Sequence, residues 1–394
     1  MKKQTQAIHL EYERRDAYDS LSVPVYNTLA YEFDNAAVMA EAFTDKIKAP
    51  DYSRVENPTV TNLERRVAAL TDAAHATAFN SGMAAISNTL MALAAQGKNI
   101  VTSKHLFGNT YALLVATLRR FGVKVRLRDL TNIEAVREAI DDDTCCVFLE
   151  ILTNPQLEVA DLKAISEVAH EKNVPLVVDS TVIPFTQFSA KSLGVDIEVV
   201  SSSKYVSGGA TSLGGLVIDY GTPYNGDFAK RLYGEMLFNF GAYMTPQVAY
   251  MQTIGLETLD ARYRVQSGNA LELAKKLRSL PQIKYVNYVG LEDNPYHELA
   301  QRQFGKTAGA MICIDLENKE ACFSFLNNLK LIHRATNLFD NRSLAIHPAS
   351  TIFGAFSENM RKSMDVKDTT IRLSIGLEDV DDLFEDIKQA VDSL

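Results

Sequence analysis

The sequence predicts an α/β protein with a mostly parallel central sheet and a smaller C-terminal α+β domain. Three observations carry that prediction. Short apolar runs alternate with amphipathic stretches from Leu63 onward, the pattern of strand and crossover helix. After about residue 245 the texture changes to a long helical segment followed by mixed strands and helices. The 394 residues also exceed what one hydrophobic core usually organises, so two domains are expected.

Along the chain, the first fifty residues carry Tyr12, Tyr18, Tyr26, Tyr31, Phe33 and Phe43 without sustained periodicity, which suits an arm that packs on something else. Leu63, Val67 and Leu70 then recur at helical spacing. Strands are expected near Ala76–Asn80, Ile100–Ser103, Lys124–Leu130, Cys145–Ile151, Leu176–Asp179, Ile197–Ser202 and Leu216–Tyr220. Helices are expected at Ala84–Ala95, Tyr111–Phe121, Ile133–Ile140 and Leu162–Lys172, several ending at Gly or Asn. The C-terminal part reads as helices Leu256–Leu280, Ala321–Leu329 and Val380–Val391 with strands Ala310–Leu316 and Thr370–Ile375. No repeat and no linker separates the two parts, so they are expected to pack closely.

Composition narrows the function. Hydrophobic residues at 46% and charged residues at 23% match a soluble globular enzyme. A net charge of −9 with no basic block interleaved with aromatics argues against nucleic acid. The N-terminus leads into charged residues and no apolar run approaches a membrane span, so a cytoplasmic protein without a membrane partner is expected. Cys145, Cys146, Cys313 and Cys322 fit no zinc spacing and read as buried free thiols; no metal is expected.

The chemistry lies at the ends of apolar strands. Asp179 closes Leu176-Val177-Val178, where burial is costly unless a cation meets it. A protonated pyridine nitrogen is one such cation; a loop Asp capping its own turn is the plainer alternative. Lys204 follows a second apolar strand and precedes Ser207-Gly208-Gly209, so both residues sit at the carboxyl edge where open α/β sheets bind ligands. An amine desolvated there is nucleophilic near neutrality, as a Schiff-base lysine must be. Ser201 and Ser203 share a face if that segment is extended, and Asn80-Ser81-Gly82-Met83 joins a strand to a helix start, which is an anion site. Phosphate, ring nitrogen and aldehyde carbon together are the three handles of pyridoxal 5′-phosphate. In Ile371-Arg372-Leu373-Ser374-Ile375, alternation puts Arg372 opposite the apolar side chains, free to present its fork to a carboxylate in a cleft.

Seven segments carry a family likeness: Tyr52-Ser53-Arg54 with Asn57-Pro58-Thr59, Ser81-Gly82-Met83-Ala84-Ala85, Glu150 with Asn154-Pro155, Val178-Asp179-Ser180-Thr181, Ser201-Ser202-Ser203-Lys204-Tyr205, His347-Pro348-Ala349-Ser350, and Ile371 to Glu378. In this order and spacing they resemble the Cys/Met-metabolism family of pyridoxal-phosphate enzymes, relatives of cystathionine γ-synthase. The resemblance implies the fold type I, aspartate-aminotransferase-like architecture. It implies an arm over residues 1–50 that contacts the neighbouring subunit, a large cofactor-binding domain over 51–245 and a C-terminal α+β domain over 246–394.

It also implies roles. Lys204 would be the Schiff-base lysine and then the base that moves protons between the substrate's α- and β-carbons, and Asp179 would pair with the ring nitrogen. Gly82, Met83, Ser201, Ser203 and Thr181 would hold the cofactor, with Asn154 at its phenolic oxygen. Tyr52 and Arg54 would reach the phosphate of the neighbouring subunit, within a dimer of dimers. Arg372 would grip the substrate carboxylate.

One departure points to a substrate. The family usually has Tyr-Gly-Gly-Thr where this chain has Phe107-Gly108-Asn109-Thr110, so the ring that covers the cofactor lacks its hydroxyl. Thiolates and alkoxides leave with the help of an acid, whereas acetate departs unprotonated. Residues Arg334 to Pro348, with Asn337 where lyases and cystathionine synthases tend to have serine, resemble the O-acetylhomoserine sulfhydrylase branch. The expectation is γ-replacement of O-acetyl-L-homoserine by sulfide, or by a sulfur-carrier protein's thiocarboxylate, to give homocysteine and acetate in methionine biosynthesis. Cystathionine γ-synthase and methionine γ-lyase share nearly every motif and stay as alternatives, with an inactive cofactor-binding protein as a minor one. Phe339, where the branch has glycine, and Ile352-Phe353, where it often has Thr-His, leave the sulfur donor open.

Overall fold

The computed structural model describes residues 1–10, 16, 18–44, 46–306 and 308–394; Tyr12, one of the arm's aromatics, lies outside them. The alternating runs form a seven-stranded sheet: β1 (His75–Phe79), β2 (Asn99–Thr102), β3 (Lys124–Leu127), β4 (Thr144–Glu150), β5 (Leu176–Asp179), β6 (Ile197–Val200) and β7 (Gly215–Asp219). Their spatial order is β1-β7-β6-β5-β4-β2-β3. From β6 to β3 every pairing is parallel, and β7 alone runs antiparallel to both of its neighbours.

Parallel strands need coverage on both faces, and side-chain alternation supplies it. On β4, Cys146 and Phe148 join the layer packed under the helix Gly82–Leu93. Val147 and Leu149 join the opposite layer, with the helix Leu162–His170. That second layer continues without a break through the helix Leu259–Leu277 into the smaller sheet, where Ile312, Ile314, Ile371 and Leu373 are fully buried. The smaller sheet comprises β8 (Tyr285–Asn287), β9 (Met311–Asp315), β10 (His333–Arg334), β11 (Leu344–Ile346) and β12 (Thr370–Ser374), in the order β10-β11-β12-β9-β8.

Several sequence expectations need correction. The first residues are not simply an irregular arm: Lys3–His9 is helical and docks on its own chain, where Arg66 donates to the Ala7 carbonyl at 2.8 Å and Lys3 to the Phe188 carbonyl at 2.9 Å. A second helix, Ala36–Ala42, is capped by Asn35. The expected helix Tyr111–Phe121 is three pieces, with a wide i→i+5 turn over Leu113–Thr117 between an α turn and a 3₁₀ turn. Leu256–Leu280 is broken at Thr258, and the preceding helix starts at Pro246, whose fixed φ suits a first turn. Strands β8, β10 and β11 are too short to register as alternation. Among the four thiols, Cys145 is only half-buried, at the margin of the layer that holds Cys146.

Candidate active site

Because β4, β5 and β6 are parallel, their carboxyl ends open onto one edge. Glu150 of β4 and Asp179 of β5 are register partners there, and Lys204 follows β6 by a single turn. A cleft of about 650 Å³, open solvent at its mouth included, lies over this edge. Gly82, Met83, Phe107, Asn154, Asp179, Thr181, Ser201, Lys204 and Arg372 all line it, from segments spread across the chain.

Each wall has a local cause. Ser81 caps the helix Gly82–Leu93 by accepting from the Ala84 N–H at 3.1 Å. Gly82 permits close approach to the turn after β6: a Cβ there would fall 2.6 Å from the Ser201 Cβ. Thr181 ties the two strand ends together, its hydroxyl accepting from the Ser201 N–H at 2.8 Å and its own N–H donating to Asp179 Oδ1 at 2.9 Å.

The charged groups are held by few partners. Lys204 Nζ donates to Asn337 Oδ1 at 2.7 Å. Burial, and secondarily the nearby Arg372, pull its amine down to about 8, so a neutral fraction exists near neutrality. Arg372 is 2% exposed; its Nη1 donates to Asn154 Oδ1 at 3.2 Å and its Nη2 to the Asn337 carbonyl at 3.3 Å, while Nε is buried with no partner. Burial pushes the Asp179 carboxyl up, opposed by the Thr181 donors. Glu150 is pushed up further, by burial and then by the charge of Asp179, although the Phe107 N–H donates to its Oε1 at 2.6 Å.

Two expectations do not hold in this geometry. The strand ends at Val200 and the chain turns, so Ser201 and Ser203 do not share a face; only Ser201 reaches the cavity wall. Ser203 is engaged with Gly214, accepting from its N–H at 2.9 Å and donating to its carbonyl at 3.2 Å. Tyr52 and Arg54 are not extended either: they lie at the start of a turn, with the guanidinium 5.4 Å from the Tyr52 ring centre and Arg54 Nη1 donating to the Phe238 carbonyl at 2.6 Å. Neither lines the cavity of its own chain. Asn337 meets the cavity through Lys204 and Arg372, while its neighbours Thr336 and Leu338 form the wall. Glu150 was visible as part of a motif without a role, yet it ends an apolar strand just as Asp179 does, and that signal would have found it.

The chain's sequence matches the family described as Cys/Met metabolism PLP-dependent enzyme over residues 4–392. The chain belongs to that family. It is 37% identical over 394 residues to an L-methionine gamma-lyase of Fusobacterium nucleatum subsp. polymorphum, covering 99% of this chain and 98% of that one. It is 31% identical to the O-acetyl-L-homoserine sulfhydrylase of Corynebacterium glutamicum, over 98% and 95% of the two chains. A crystal structure of a putative O-acetylhomoserine (thiol)-lyase from Campylobacter jejuni, with N′-pyridoxyl-lysine-5′-monophosphate, superposes with a TM-score of 0.95 at 35% identity over the whole of both chains. The protein is therefore a pyridoxal-phosphate enzyme with the fold type I architecture.

The residues present fit that cofactor. A helix start with a glycine pressed against Ser201 suits a phosphate, a buried carboxyl whose charge is disfavoured suits a cationic ring nitrogen, and an amine lowered to about 8 suits an aldehyde. Among the described residues, no helix is long and apolar enough to cross a membrane.

Proposed function

We propose that the protein replaces the γ-acetoxy group of O-acetyl-L-homoserine with sulfide, breaking the Cγ–O bond and giving L-homocysteine and acetate in methionine biosynthesis. The single observation that carries this reading is Phe107. It lines the cavity with a ring and no hydroxyl, its backbone fixed by Glu150, so this position offers no acid to a leaving group. A carboxylate such as acetate leaves without one, because its conjugate acid has a pKa near 4 to 5, about four units below a thiol.

When bound, pyridoxal phosphate supplies the electron sink that makes the substrate's α- and β-protons removable. The chain supplies the rest. Gly82, Met83, Ser201 and Thr181 would hold the phosphate end, and Asp179 would keep the ring nitrogen charged. Lys204 would hold the aldehyde carbon through its amine, and the same amine would move protons between the substrate's α- and β-carbons. Asn337 accepts from that amine and keeps it aimed into the cavity. Arg372 takes the substrate carboxylate, for which its unpartnered Nε is available. Tyr52 and Arg54, which do not line their own cavity, would complete the phosphate site of a neighbouring subunit. Sulfide or a carrier thiocarboxylate then supplies the sulfur.

A second reading, methionine γ-elimination, is favoured by the 37% identity to a lyase of that name. Steady-state rates with the acetyl, succinyl and phospho esters of homoserine, each with sulfide and with cysteine, and with methionine alone, separate the two. The expected result is turnover of the acetyl ester with sulfide and little release of thiol from methionine. Comparable turnover of methionine would overturn the proposal. So would a rise of several orders of magnitude in acetyl-ester turnover on Phe107→Tyr, since acetate then needed an acid after all.

A further inference from the structure

Phe339 combines three features that a simple core filler does not need. It is 0% exposed, its backbone is left-handed at φ +57°, and its ring stacks on Tyr205 with centres 4.0 Å apart and planes 9° from parallel. A bulky residue persists in that backbone region only where its surroundings over-determine it. Here they do: its N–H donates to Ser374 Oγ at 2.7 Å, and Tyr205 is braced edge-on by Tyr263 at 5.2 Å.

The segment it anchors runs over the cavity. Thr336 and Leu338 line the wall, Asn337 Oδ1 meets Lys204 and the Asn337 carbonyl meets Arg372. Beyond Phe339, the Asp340 carbonyl accepts from Gln266 at 2.7 Å and Asn341 donates to the Gly208 carbonyl at 3.3 Å. Tyr205 is the residue after Lys204. The stack therefore ties the strap that carries Asn337 to the backbone that carries the lysine, independently of the hydrogen bond between their side chains.

We propose that Phe339 is a positioning residue for Lys204, whose stacked ring and left-handed backbone fix the register in which Asn337 meets the amine and Arg372 at once. This rests on the function proposed above and deepens it: lysine and carboxylate grip are set by one strap.

The test compares Phe339→Gly, which suits the backbone but removes the ring, with Phe339→Tyr, which keeps the stack. Phe339→Leu, apolar but without a flat ring, serves if the glycine variant fails to fold. On cofactor-loaded protein, hydrogen exchange of the peptide spanning 336–341 is expected to quicken in the glycine and leucine variants. The pH midpoint of the long-wavelength cofactor band, which reports the surroundings of the lysine nitrogen, is expected to move. With O-acetylhomoserine and sulfide, kcat falls about tenfold or more, as for a misplaced catalytic group, with a smaller change in KM because Asn154 still holds Arg372. The tyrosine variant stays close to wild type in all three. An unchanged band midpoint and kcat in both ring-less variants, or a tyrosine variant as impaired as they are, overturns the proposal. Exchange and absorbance need no substrate, so they decide the role of Phe339 even if wild-type protein does not use the acetyl ester.

Discussion

Arg372 is a buried guanidinium that, among the described residues, donates to neutral oxygens, Asn154 Oδ1 and the Asn337 carbonyl. Burial pulls it down to about 10, the mark of a cation kept in an unfavourable place. Such a group serves an anionic ligand at the expense of the folded chain. Arg372→Leu is accordingly expected to raise the melting temperature while costing about 2–5 kcal/mol in kcat/KM, measured by calorimetry and steady-state kinetics. A variant that loses stability along with activity would assign Arg372 to the scaffold. The residues legible in the sequence were of this kind: Asp179, Lys204 and Arg372 are each a charge beside or within an apolar strand, where burial needs a reason. The shared face expected of Ser201 and Ser203 is lost because a turn after Val200 cannot be seen in a run of serines; the Ser203 hydroxyl bonds Gly214 instead. Asn337 was found by likeness alone, since nothing in an isolated asparagine announces a lysine 133 residues away.

At the scale of elements, two joints invite measurement. The helix start at Gly82 presses on the turn after β6, with Ser201 Cα, a backbone atom, 2.9 Å from any added Cβ. Gly82→Ala must push that turn aside, costing roughly 1–3 kcal/mol. Cofactor affinity, followed by absorbance titration, is expected to weaken at least as much. The second joint ties the loop after β2 to the C-terminal part. His105 Nδ1 meets Glu158 at 2.5 Å and its Nε2 meets Asp365 at 2.8 Å, while Lys104 reaches the same Asp365 oxygen at 2.7 Å. Burial works against the imidazolium, but the two carboxylates outweigh it and raise the His105 pKa above its ordinary 6.5. A raised pKa stabilises the fold fully below 6.5 and is lost as pH climbs through the folded value. The difference in melting temperature between wild type and His105→Gln should therefore be largest near pH 6 and shrink toward pH 9; a difference flat across that range would remove the histidine from the joint. Long, periodic elements such as Val380–Val391 were legible to the residue, whereas the pieces of 108–121 were not, because a wide turn preserves the apolar spacing that suggested one helix.

For the molecule as a whole, the parallel sheet and the close packing of its two parts were readable from alternation and from the lack of a linker. The partner subunit was readable only by likeness. We propose that residues 1–50 and the Tyr52–Arg54 turn meet a second copy. The exposure of Leu29 (64%), Phe43 (59%) and Phe240 (56%) in the single chain supports this, since large apolar groups left uncovered mark contact surfaces. Mixing an inactive Lys204→Ala chain with an inactive Arg54→Ala chain, after dissociation and reassembly, is expected to regain activity in hybrid dimers. No recovery, with hybrid formation verified by mass, would place each site within one chain.

The apolar layer that passes from the large sheet through Leu259–Leu277 into the small one has a mechanical consequence. Two lobes that share one oily interior cannot swing apart on a hinge without wetting it. Admission of substrate thus falls to short segments at the rim, and heating should produce one calorimetric peak that the cofactor moves upward without splitting.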